Sequence, residues 1–491
     1  MADDITVTGL TEKPWTNTEI KNHYRGDAPI SINLEGASHD MSTTVTGEKI
    51  DHLILRDLDP KLTYEHNFLV LADVGSLFVE SHGRVINTGG NGIRSITSLV
   101  DEGLTIENYG IIEEINGHKA ARILNDGEIN GIADTDELTN KEHGIIRTGE
   151  IESSTVTTRL TNYGTIEITE HGLTVGDENG STLTNYGKIN GVKGETLIAD
   201  DKGGSSIVNY GTIAGDRGSE HGYFPGTILI GIHDTVENEI KNIGTIRGGT
   251  IAITGLPEGK DGQLRITNEG TIEGDIVTTV ANDGGLTVGA EISLNNNVGG
   301  VWAAGMKGWH LNEEEFLYNK FKNVTNQGLI KTLNDSRPGR STITAASFMN
   351  DGKIDVTAGG LTIIGDYTAG ANSSLVTAAA LMGDETELPT LVINGSVSGE
   401  TTKVDVVNLG GTGAATVDGI LVVRADTVDG EGFTKGERIV AGAYDYDLVK
   451  VQGDGYTEWR LTSELTPEPP GPTPPVPPGP TPPVPPGPTP P

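Results

Sequence analysis

The sequence contains no cysteine, only 5% aromatic residues and far fewer basic than acidic side chains. Without cysteine, disulfide bonds, thiolate metal sites and thiol catalysis are excluded. The 34 Lys and Arg residues against 69 Asp and Glu residues give a net charge of −35. This charge opposes binding to nucleic acid and to anionic membranes, so we expect no nucleic-acid partner. No apolar run approaches the roughly 20 residues that a membrane-spanning helix needs.

What the sequence has in abundance is glycine, with 69 residues, and some of it lies in a recurrent phrase, Asn-x-Gly-x-Ile. The copies begin at Asn108, Asn125, Asn162, Asn185, Asn209, Asn242, Asn268, Asn326 and Asn350. Several neighbouring copies are 23, 24, 26 and 24 residues apart. A constant period of roughly 20–50 residues is the signature of a solenoid.

The residues around the phrase alternate between apolar and polar, as in Arg159-Leu160-Thr161 before one turn and Thr165-Ile166-Glu167-Ile168 after it. Such alternation predicts a strand on each side, with the apolar side chains on one face. Glycine would permit a positive φ in the turn, and the asparagine amide could bond to an identical asparagine one coil away. Stacked copies would bury a continuous apolar column. We therefore predict an all-β fold, a right-handed three-sided parallel β-helix.

The repeat pattern and the composition divide the chain into four predicted parts. Residues 1–50 form an N-terminal cap with the first coils, and residues 51–360 form the β-helix repeats. Loops are expected to interrupt the repeats at 130–144, 214–227 and 255–262. Residues 361–465 form a distinct C-terminal end of the β-helix, and residues 466–491 form a Pro-rich linker, because proline cannot donate to a β-ladder.

Residues 299–324 interrupt the repeat with aromatic residues and carry the main candidate site. Trp302, Trp309, Phe316 and Tyr318 lie there, and the capping pattern at Asn312 predicts a short helix over roughly 313–322. The aromatic side chains could contact a sugar or a protein ligand, since such side chains carry much of the energy at recognition surfaces. Alternatively, the insertion is a plug that packs its own aromatics on the rod.

Two short motifs are weaker candidates. Arg25, Gly26 and Asp27 form the tripeptide that integrins read, although a polar turn before Pro29 is the simpler interpretation. The pattern Glu-His-Gly recurs at 142–144, 170–172 and 220–222, where stacked side chains could bind a divalent metal or respond to pH. Their unequal spacing favours exposed turn residues, so no metal site is predicted.

No catalytic pattern is present in the sequence. Neither a Gly-x-Ser-x-Gly elbow nor a His-Glu-x-x-His motif occurs. Paired carboxylates are abundant, but they carry little information in a chain of charge −35. We expect no enzyme activity, no catalytic residue and no cofactor; a β-helical polysaccharide-degrading enzyme is the alternative.

Residues 361–465 contain motifs whose order resembles a known family. The motifs are Gly365-Asp366-Tyr367, Ser374-Leu375, Leu391-Val392-Ile393-Asn394-Gly395, Gly410-Gly411-Thr412-Gly413, Val440-Ala441-Gly442-Ala443-Tyr444-Asp445-Tyr446 and Trp459-Arg460-Leu461. They resemble the C-terminal end of pertactin-like autotransporter passengers, which Gram-negative bacteria export by type V secretion. The resemblance implies that this block acts as an autochaperone, which folds first and templates the remaining coils.

The resemblance also implies a location and a function. A passenger of this kind lies at the cell surface or outside the cell, and its membrane contact would be a C-terminal β-barrel that these 491 residues do not include. The opening Met1-Ala2-Asp3-Asp4 is expected to be the start of a mature exported segment. The Pro-Pro-Gly-Pro-Thr-Pro-Pro-Val repeats after Glu464 predict a disordered polyproline II spacer.

The expected function is that of a non-enzymatic adhesin. Its partner would be a host-surface protein, a glycan or another copy of the chain, bound by many weak contacts along the rod. A passive surface or biofilm scaffold is a further alternative that the sequence hardly separates from an adhesin.

Overall fold

The computed structural model describes most of the chain between residues 105 and 465. Side chains are described at 105–112, 115, 122–132, 135–148, 156, 158–169, 172–176, 180–191, 204–215, 228, 237–247, 263–276, 291–304, 320–333, 341–463 and 487. Strands outside these ranges are described by their backbone. The described chain consists of strands and turns, and it contains no helix that could cross a membrane.

The strands form three sheets that run along a rod. One sheet has 16 strands, Tyr64–His66, Gly83–Val85, Ile111–Ile112, Glu128–Ile129, Ile145–Thr148, Thr165–Ile168, Lys188–Gly191, Thr212–Gly215, Thr245–Arg247, Thr271–Glu273, Val301–Ala304, Leu329–Thr332, Lys353–Asp355, Ser374–Ala379, Thr402–Asn408 and Phe433–Lys435. A second has five, Ser42–Val45, Phe68–Leu71, Ile96–Ser98, Ile115–Asn116 and Ile132–Ala133.

The third sheet has 27 strands because it joins two sides of the rod. Its strands are Asp4–Val7, Ile30–Leu34, Leu53–Arg56, Ser76–Val79, Thr105–Asn108, Arg122–Asn125, Thr135–Asn140, Ser154–Asn162, Leu173–Val175, Ser181–Asn185, Leu197–Asp201, Ser205–Asn209, Gly226–Ile232, Glu237–Asn242, Thr250–Thr254, Gln263–Asn268, Ile276–Thr279, Glu291–Asn296, Phe316–Tyr318, Lys320–Asn326, Ser341–Asn350, Leu361–Ala369, Leu391–Gly399, Ile420–Val428, Ile439–Ala441, Tyr444–Gln452 and Thr457–Leu465. The long strand Ser154–Asn162 shows the joining, since its first half pairs with Leu173–Val175 and its second half with Ser181–Asn185.

Each coil contributes one strand to each side of the rod. In one coil, Ser181–Asn185 precedes the asparagine turn, Lys188–Gly191 follows it, and Leu197–Asp201 forms the third side. All three strands pair in parallel with the next coil. This stacking confirms the predicted parallel β-helix with three strands per coil, whereas the right-handed sense of winding stays a prediction.

The apolar residues of the strands fill the interior of the rod. Ile166, Ile189 and Ile213 occupy equivalent positions in successive coils, and each is 0% exposed. Their alternating neighbours point outward, which gives the burial pattern of a half-buried strand. Removing such a side chain from water is worth about 1.5–3 kcal/mol, so the column stabilises each coil through its neighbours.

The turn glycines are required for a reason that differs from the expected one. Gly187 does not adopt a positive φ. Instead, a Cβ on Gly187 would lie 2.1 Å from the carbonyl oxygen of Gly164 in the neighbouring coil. The expectation of a left-handed turn is therefore wrong, and glycine is needed because adjacent coils approach too closely for a side chain.

The structure contradicts one of the three predicted loops, and residues 216–225 of the second lie outside the described residues. Residues 130–144 hold the strands Ile132–Ala133 and Thr135–Asn140, which form part of a coil. The second loop, 214–227, overlaps the ends of the strands Thr212–Gly215 and Gly226–Ile232. The third, 255–262, lies outside the described residues. The prediction of a loop at 130–144 is wrong. Two extra residues between Asn140 and Gly144 interrupt the Asn-x-Gly pattern, although the asparagine turn is complete.

The predicted helix over 313–322 is also wrong. Phe316–Tyr318 and Lys320–Asn326 are strands. The first pairs antiparallel with Ile276–Thr279, while the second pairs in parallel with Glu291–Asn296. A capping pattern is worth only about 1 kcal/mol, and pairing with an open sheet edge outweighs it.

The C-terminal end of the rod closes with an antiparallel hairpin. Tyr444–Gln452 pairs with Thr457–Leu465, and the latter pairs antiparallel with Ile420–Val428. Reversing direction there ends the parallel stack. The predicted domain boundaries stay predictions, and the predicted polyproline tail lies outside the described residues apart from the exposed Gly487.

Candidate ligand-binding surface

The turn that joins the first two sides of each coil carries a ladder of buried asparagines. Its members are Asn108, Asn125, Asn140, Asn162, Asn185, Asn209, Asn242, Asn268, Asn296, Asn326 and Asn350, each 0% exposed. In every member but the last, Asn350, the amide Nδ2 donates to the Oδ1 of the next asparagine at 2.7–2.9 Å. The predicted bonding between identical asparagines is therefore confirmed.

The second amide hydrogen of each asparagine is also used. Asn162 donates from Nδ2 to the Oδ1 of Asn185 at 2.8 Å and to the carbonyl oxygen of Lys188 at 3.1 Å. Because a buried amide without partners would cost about 1–3 kcal/mol, this satisfied ladder holds adjacent coils in a single register.

Two members of the ladder were not recognised from sequence. Asn140 and Asn296 are each followed by three residues before the glycine, rather than by one. The extra residues form a small local turn, in which the N–H of Gly144 donates to Lys141 at 3.0 Å and that of Gly300 to Asn297 at 2.8 Å. The asparagine and the glycine consequently keep their usual places in the stack.

The residue between the asparagine and the glycine points outward, and in three successive coils it is a tyrosine. We call Tyr163, Tyr186 and Tyr210 the tyrosine ladder. Neighbouring ring centroids are 4.8 Å apart, and the ring planes differ by 2° and 3°. The three residues are 48%, 46% and 47% exposed. Among the exposed large hydrophobic residues that the structure describes, they are the only aromatic ones.

The turn itself does not need tyrosine at this position. Asp126, Glu269 and Gln327 occupy it in other coils, where the asparagine ladder continues unchanged. Stacking of the rings contributes about 0.5–1.5 kcal/mol per pair, which leaves their exposed parts unexplained. The signal was present in the sequence as Asn-Tyr-Gly repeated at the spacing of successive coils.

Tyr109 occupies the same turn position but in a different environment. Lys141 lies over its ring with Nζ 5.0 Å from the centroid, and the same Nζ donates to the phenolic oxygen at 3.2 Å. Tyr109 is only half-buried and outside the stack. A cation therefore occupies the Tyr109 face, whereas the described side chains offer no such partner to the tyrosine ladder.

Charged side chains also lie on the coils that carry the tyrosine ladder. Arg159 and Lys188 are exposed there. Glu167 is ion-paired, with its Oε2 accepting from Nε of Arg147 at 3.0 Å.

Trp302, the first predicted ligand contact, lies in the core. It is 0% exposed and takes the position that Ile272 and Ile330 hold in the adjacent coils. Its indole N–H donates to the carbonyl of Gly274 at 3.1 Å, and its ring packs edge-on against Phe321 at 5.6 Å. A ligand could not reach this side chain in the present structure, so its placement favours the packing interpretation.

The other predicted contacts cannot be placed in the same way. Phe316 and Tyr318 belong to a strand described by its backbone alone. Trp309 lies outside the described residues. Arg25, Gly26 and Asp27 lie outside them as well.

The Glu-His-Gly pattern is described in full at one of its three copies. His143 is exposed, with Nδ1 3.4 Å from Oδ1 of Asp126, and Gly144 is the glycine of an asparagine turn. His171 and His221 lie outside the described residues. The described side chains include no cluster of three His, Asp or Glu residues that could hold a metal ion.

Comparison with known proteins places part of the chain in a named family. Residues 339–448 match the Autochaperone Domain Type 1. The chain is 32% identical over 235 residues to the adhesin BmaC autotransporter of Brucella suis biovar 1 (strain 1330), covering 43% of this chain and 6% of that protein. It is 31% identical over 252 residues to the probable autotransporter YfaL of Escherichia coli (strain K12), covering 48% and 17%.

A third relative is the autotransporter adhesin AIDA-I of Escherichia coli, with 36% identity over 110 residues, covering 22% of this chain and 8% of that protein. The aligned stretches thus span at most 17% of these relatives. Together, the autochaperone match and the autotransporter relatives identify the chain as an autotransporter passenger domain, located at the cell surface or outside the cell after export through the outer membrane.

Proposed function

We propose that this passenger is a non-enzymatic adhesin whose rod presents its ligand contacts on the turns between coils. The observation that carries the proposal is the tyrosine ladder, which is exposed although the fold does not require it. The names of BmaC and AIDA-I, both adhesins, support a role in surface attachment. The partner would be a host-surface protein, a glycan or a second copy of the chain.

A stacked rod is well suited to such a role. Each coil repeats the same turn geometry, so contacts that are individually weak can be presented at a regular interval along one line. When one contact forms, its neighbours are held close to the ligand at a high effective concentration, and the avidity exceeds that of a single contact.

The described part of the surface gives less support to an enzyme. A glycosidase needs two carboxyl groups roughly 5–10 Å apart across its substrate, one of them usually with a raised pKa. The described carboxylates Glu128 and Glu167 are both ion-paired with Arg147. An adhesin therefore accounts for this surface more directly than a polysaccharide-degrading enzyme does.

The proposal is tested by displaying the full chain on a non-adherent bacterium or on beads. Adhesion to epithelial cells, adhesion to matrix proteins and aggregation of the displaying particles are measured together with particles that lack the chain. We expect adhesion or aggregation that depends on the chain. A displayed chain that produces neither would contradict the proposal and favour the passive scaffold.

A further inference from the structure

We infer that the tyrosine ladder binds an extended chain of sugar rings laid along the axis of the rod. This inference rests on the proposed adhesin function, for which it names the ligand class and the residues. Three properties of Tyr163, Tyr186 and Tyr210 lead to it: unused hydroxyl groups, exposed rings and a regular repeat.

The phenolic hydroxyl groups of the ladder have no hydrogen-bond partner among the described residues. Tyr109, Tyr367 and Tyr446 each use theirs within the protein. A free row of hydroxyl groups at the surface can both donate to and accept from a ligand. These groups are consequently available to the hydroxyl groups of a sugar.

The stacking leaves part of each ring exposed. The centroids of the ladder are 4.8 Å apart, and the ring planes are parallel to within 3°. The three residues are 48%, 46% and 47% exposed. Each ring therefore has an uncovered part that the apolar C–H groups of a sugar ring can contact.

The repeat of the ladder fits a polymer of sugar rings. In an extended pyranose chain, one ring advances by a distance close to the height of one coil, so that successive rings can meet successive tyrosines. Thr161 and Thr184 lie beside the ladder just before the turn, and Thr165 and Thr212 lie just after it. Their half-buried hydroxyl groups flank the line that the ligand would follow.

The charge distribution favours a glycan over a second copy of the chain. A second copy would bring another net charge of −35 to the same surface, and like charges repel at that range. A neutral glycan meets no such repulsion.

The experiment measures binding of linear cello-, manno- and chito-oligosaccharides to the full chain by titration calorimetry. The test variant replaces Tyr163, Tyr186 and Tyr210 by Gln, because the chain itself carries Gln327 at this turn position. The matched control is Glu269→Ala, at the same position in a coil outside the ladder. Tyr186→Phe keeps the ring and removes only the central hydroxyl group.

We expect at least one of the three series to bind, with affinity that rises until the ligand spans three rings. The triple variant should bind at least about tenfold more weakly, since each aromatic contact is worth a substantial part of 1.4 kcal/mol. Glu269→Ala should bind as the natural chain does. The triple variant should stay folded but melt at a lower temperature, because it loses two stacked pairs. Tyr186→Phe should lose less affinity than the triple variant.

Three outcomes would overturn the inference. They are the absence of binding to every series, undiminished binding by the triple variant, and a natural chain that dimerises in sedimentation through the ladder without binding any oligosaccharide. If the displayed triple variant still adheres to cells, the inference fails while the adhesin proposal stands. If the natural chain binds sugars through the ladder but particles carrying it neither adhere nor aggregate, the inference stands and the adhesin proposal fails.

Discussion

The repeat stretch, residues 105–333, and the C-terminal block, residues 341–465, hold their coils together in different ways. In the repeat stretch, the same residue types recur at the same places, with isoleucine inside the strands and asparagine inside the turn. In the C-terminal block, aromatic side chains of different size are packed among the aliphatic ones in the interior. The first arrangement is easily extended by another coil, whereas the second specifies one particular stack.

The interior of the C-terminal block contains a continuous series of aromatic contacts. Phe348 and Tyr367 stack at 5.9 Å, Tyr367 and Phe433 also at 5.9 Å, and Phe433 meets Trp459 edge-on at 4.8 Å. All four residues are at most 3% exposed. Because rings of different size and tilt do not interchange without strain, shifting this stack by one coil would leave cavities and clashes.

The asparagine ladder ends where this aromatic stack begins. Asn350 donates from Nδ2 to Oγ of Ser373 at 2.7 Å and to the hydroxyl of Tyr367 at 3.0 Å. Thr402 completes the cluster, with its hydroxyl 2.9 Å from that of Tyr367 and 2.8 Å from that of Ser373. Burial raises the pKa of Tyr367, while these hydrogen bonds act in the opposite direction. A unique structure at the end of a repetitive ladder can thus define the register from which the ladder grows.

The largest expected effect comes from comparing the two buried tryptophans. Trp302 in the repeat stretch and Trp459 in the C-terminal block are 0% and 1% exposed, and each donates its indole N–H to a carbonyl oxygen. Replacement by alanine should cost about 3–5 kcal/mol at either position. Only Trp459→Ala should slow refolding of the whole rod, because coils that are templated by the C-terminal block form after it.

The refolding rate of each variant after dilution from denaturant is measured by circular dichroism. Limited proteolysis of the natural chain should leave a resistant fragment that ends near residue 465, and Trp302→Ala should leave that fragment intact. Equal refolding rates for the two variants, or longer survival of the N-terminal coils, would contradict a templating role for the C-terminal block.

A smaller effect is expected from one rung of the asparagine ladder. Asn185→Ala removes the acceptor of Asn162 and the donor to Asn209 at a site that is 0% exposed. Each buried group left without a partner costs about 1–3 kcal/mol. Asn190→Ala is the control, since this half-buried residue faces outward in the next strand and should change stability by no more than about 0.5 kcal/mol.

Denaturant midpoints of the two variants, measured beside the natural chain, provide the comparison. If Asn185→Ala were as mild as Asn190→Ala, the hydrophobic column alone would set the register, and the ladder would be a consequence of stacking. A comparable substitution at Ser373 in the C-terminal block should be milder, because Tyr367 and Thr402 can still bond to each other.

The parallel β-helix and the asparagine ladder were predictable because a short phrase carries both. Asn-x-Gly with alternating apolar neighbours specifies turn, strand and stacking within a few residues. The phrase did not identify Asn140 and Asn296 as members of the ladder. In both, two added residues separate the asparagine from the glycine and form a small local turn. The role of Gly187 was misassigned for a related reason, since the obstructing carbonyl of Gly164 belongs to another coil.

The candidate site was only partly predictable. Local capping at Asn312 suggested a helix, but the pairing of Phe316–Tyr318 with Ile276–Thr279 is a contact between distant segments. Trp302 was predicted to contact a ligand because the residues that follow it interrupt the repeat. In the structure it lies in a regular strand, at the position that Ile272 occupies in the adjacent coil. The tyrosine ladder could have been found, because coil spacing alone brings its members together.

The smallest expected effect is a local loosening of the C-terminal block in acid. Asp384 accepts hydrogen bonds from the backbone N–H groups of Val417, Asp418 and Gly419, with Oδ1 or Oδ2 at 2.7–3.1 Å. These bonds hold the pKa of Asp384 below its usual value, and the bond from Val417 has the largest effect. A lowered pKa means that the stabilisation is complete above the ordinary aspartate pKa and is lost as the pH falls through the folded-state pKa.

Hydrogen exchange of the three amides, corrected for intrinsic rates, should therefore lose protection only below about pH 4. The amide of Tyr210, which donates to the backbone carbonyl of Asn185 at 2.8 Å, should keep its protection over the same range. Asp384→Asn should give weaker protection that does not change with pH, because an amide oxygen still accepts but does not titrate. Protection in the natural chain that persists unchanged through the acid range would show that the fold of the segment, and not the carboxylate, holds it in place.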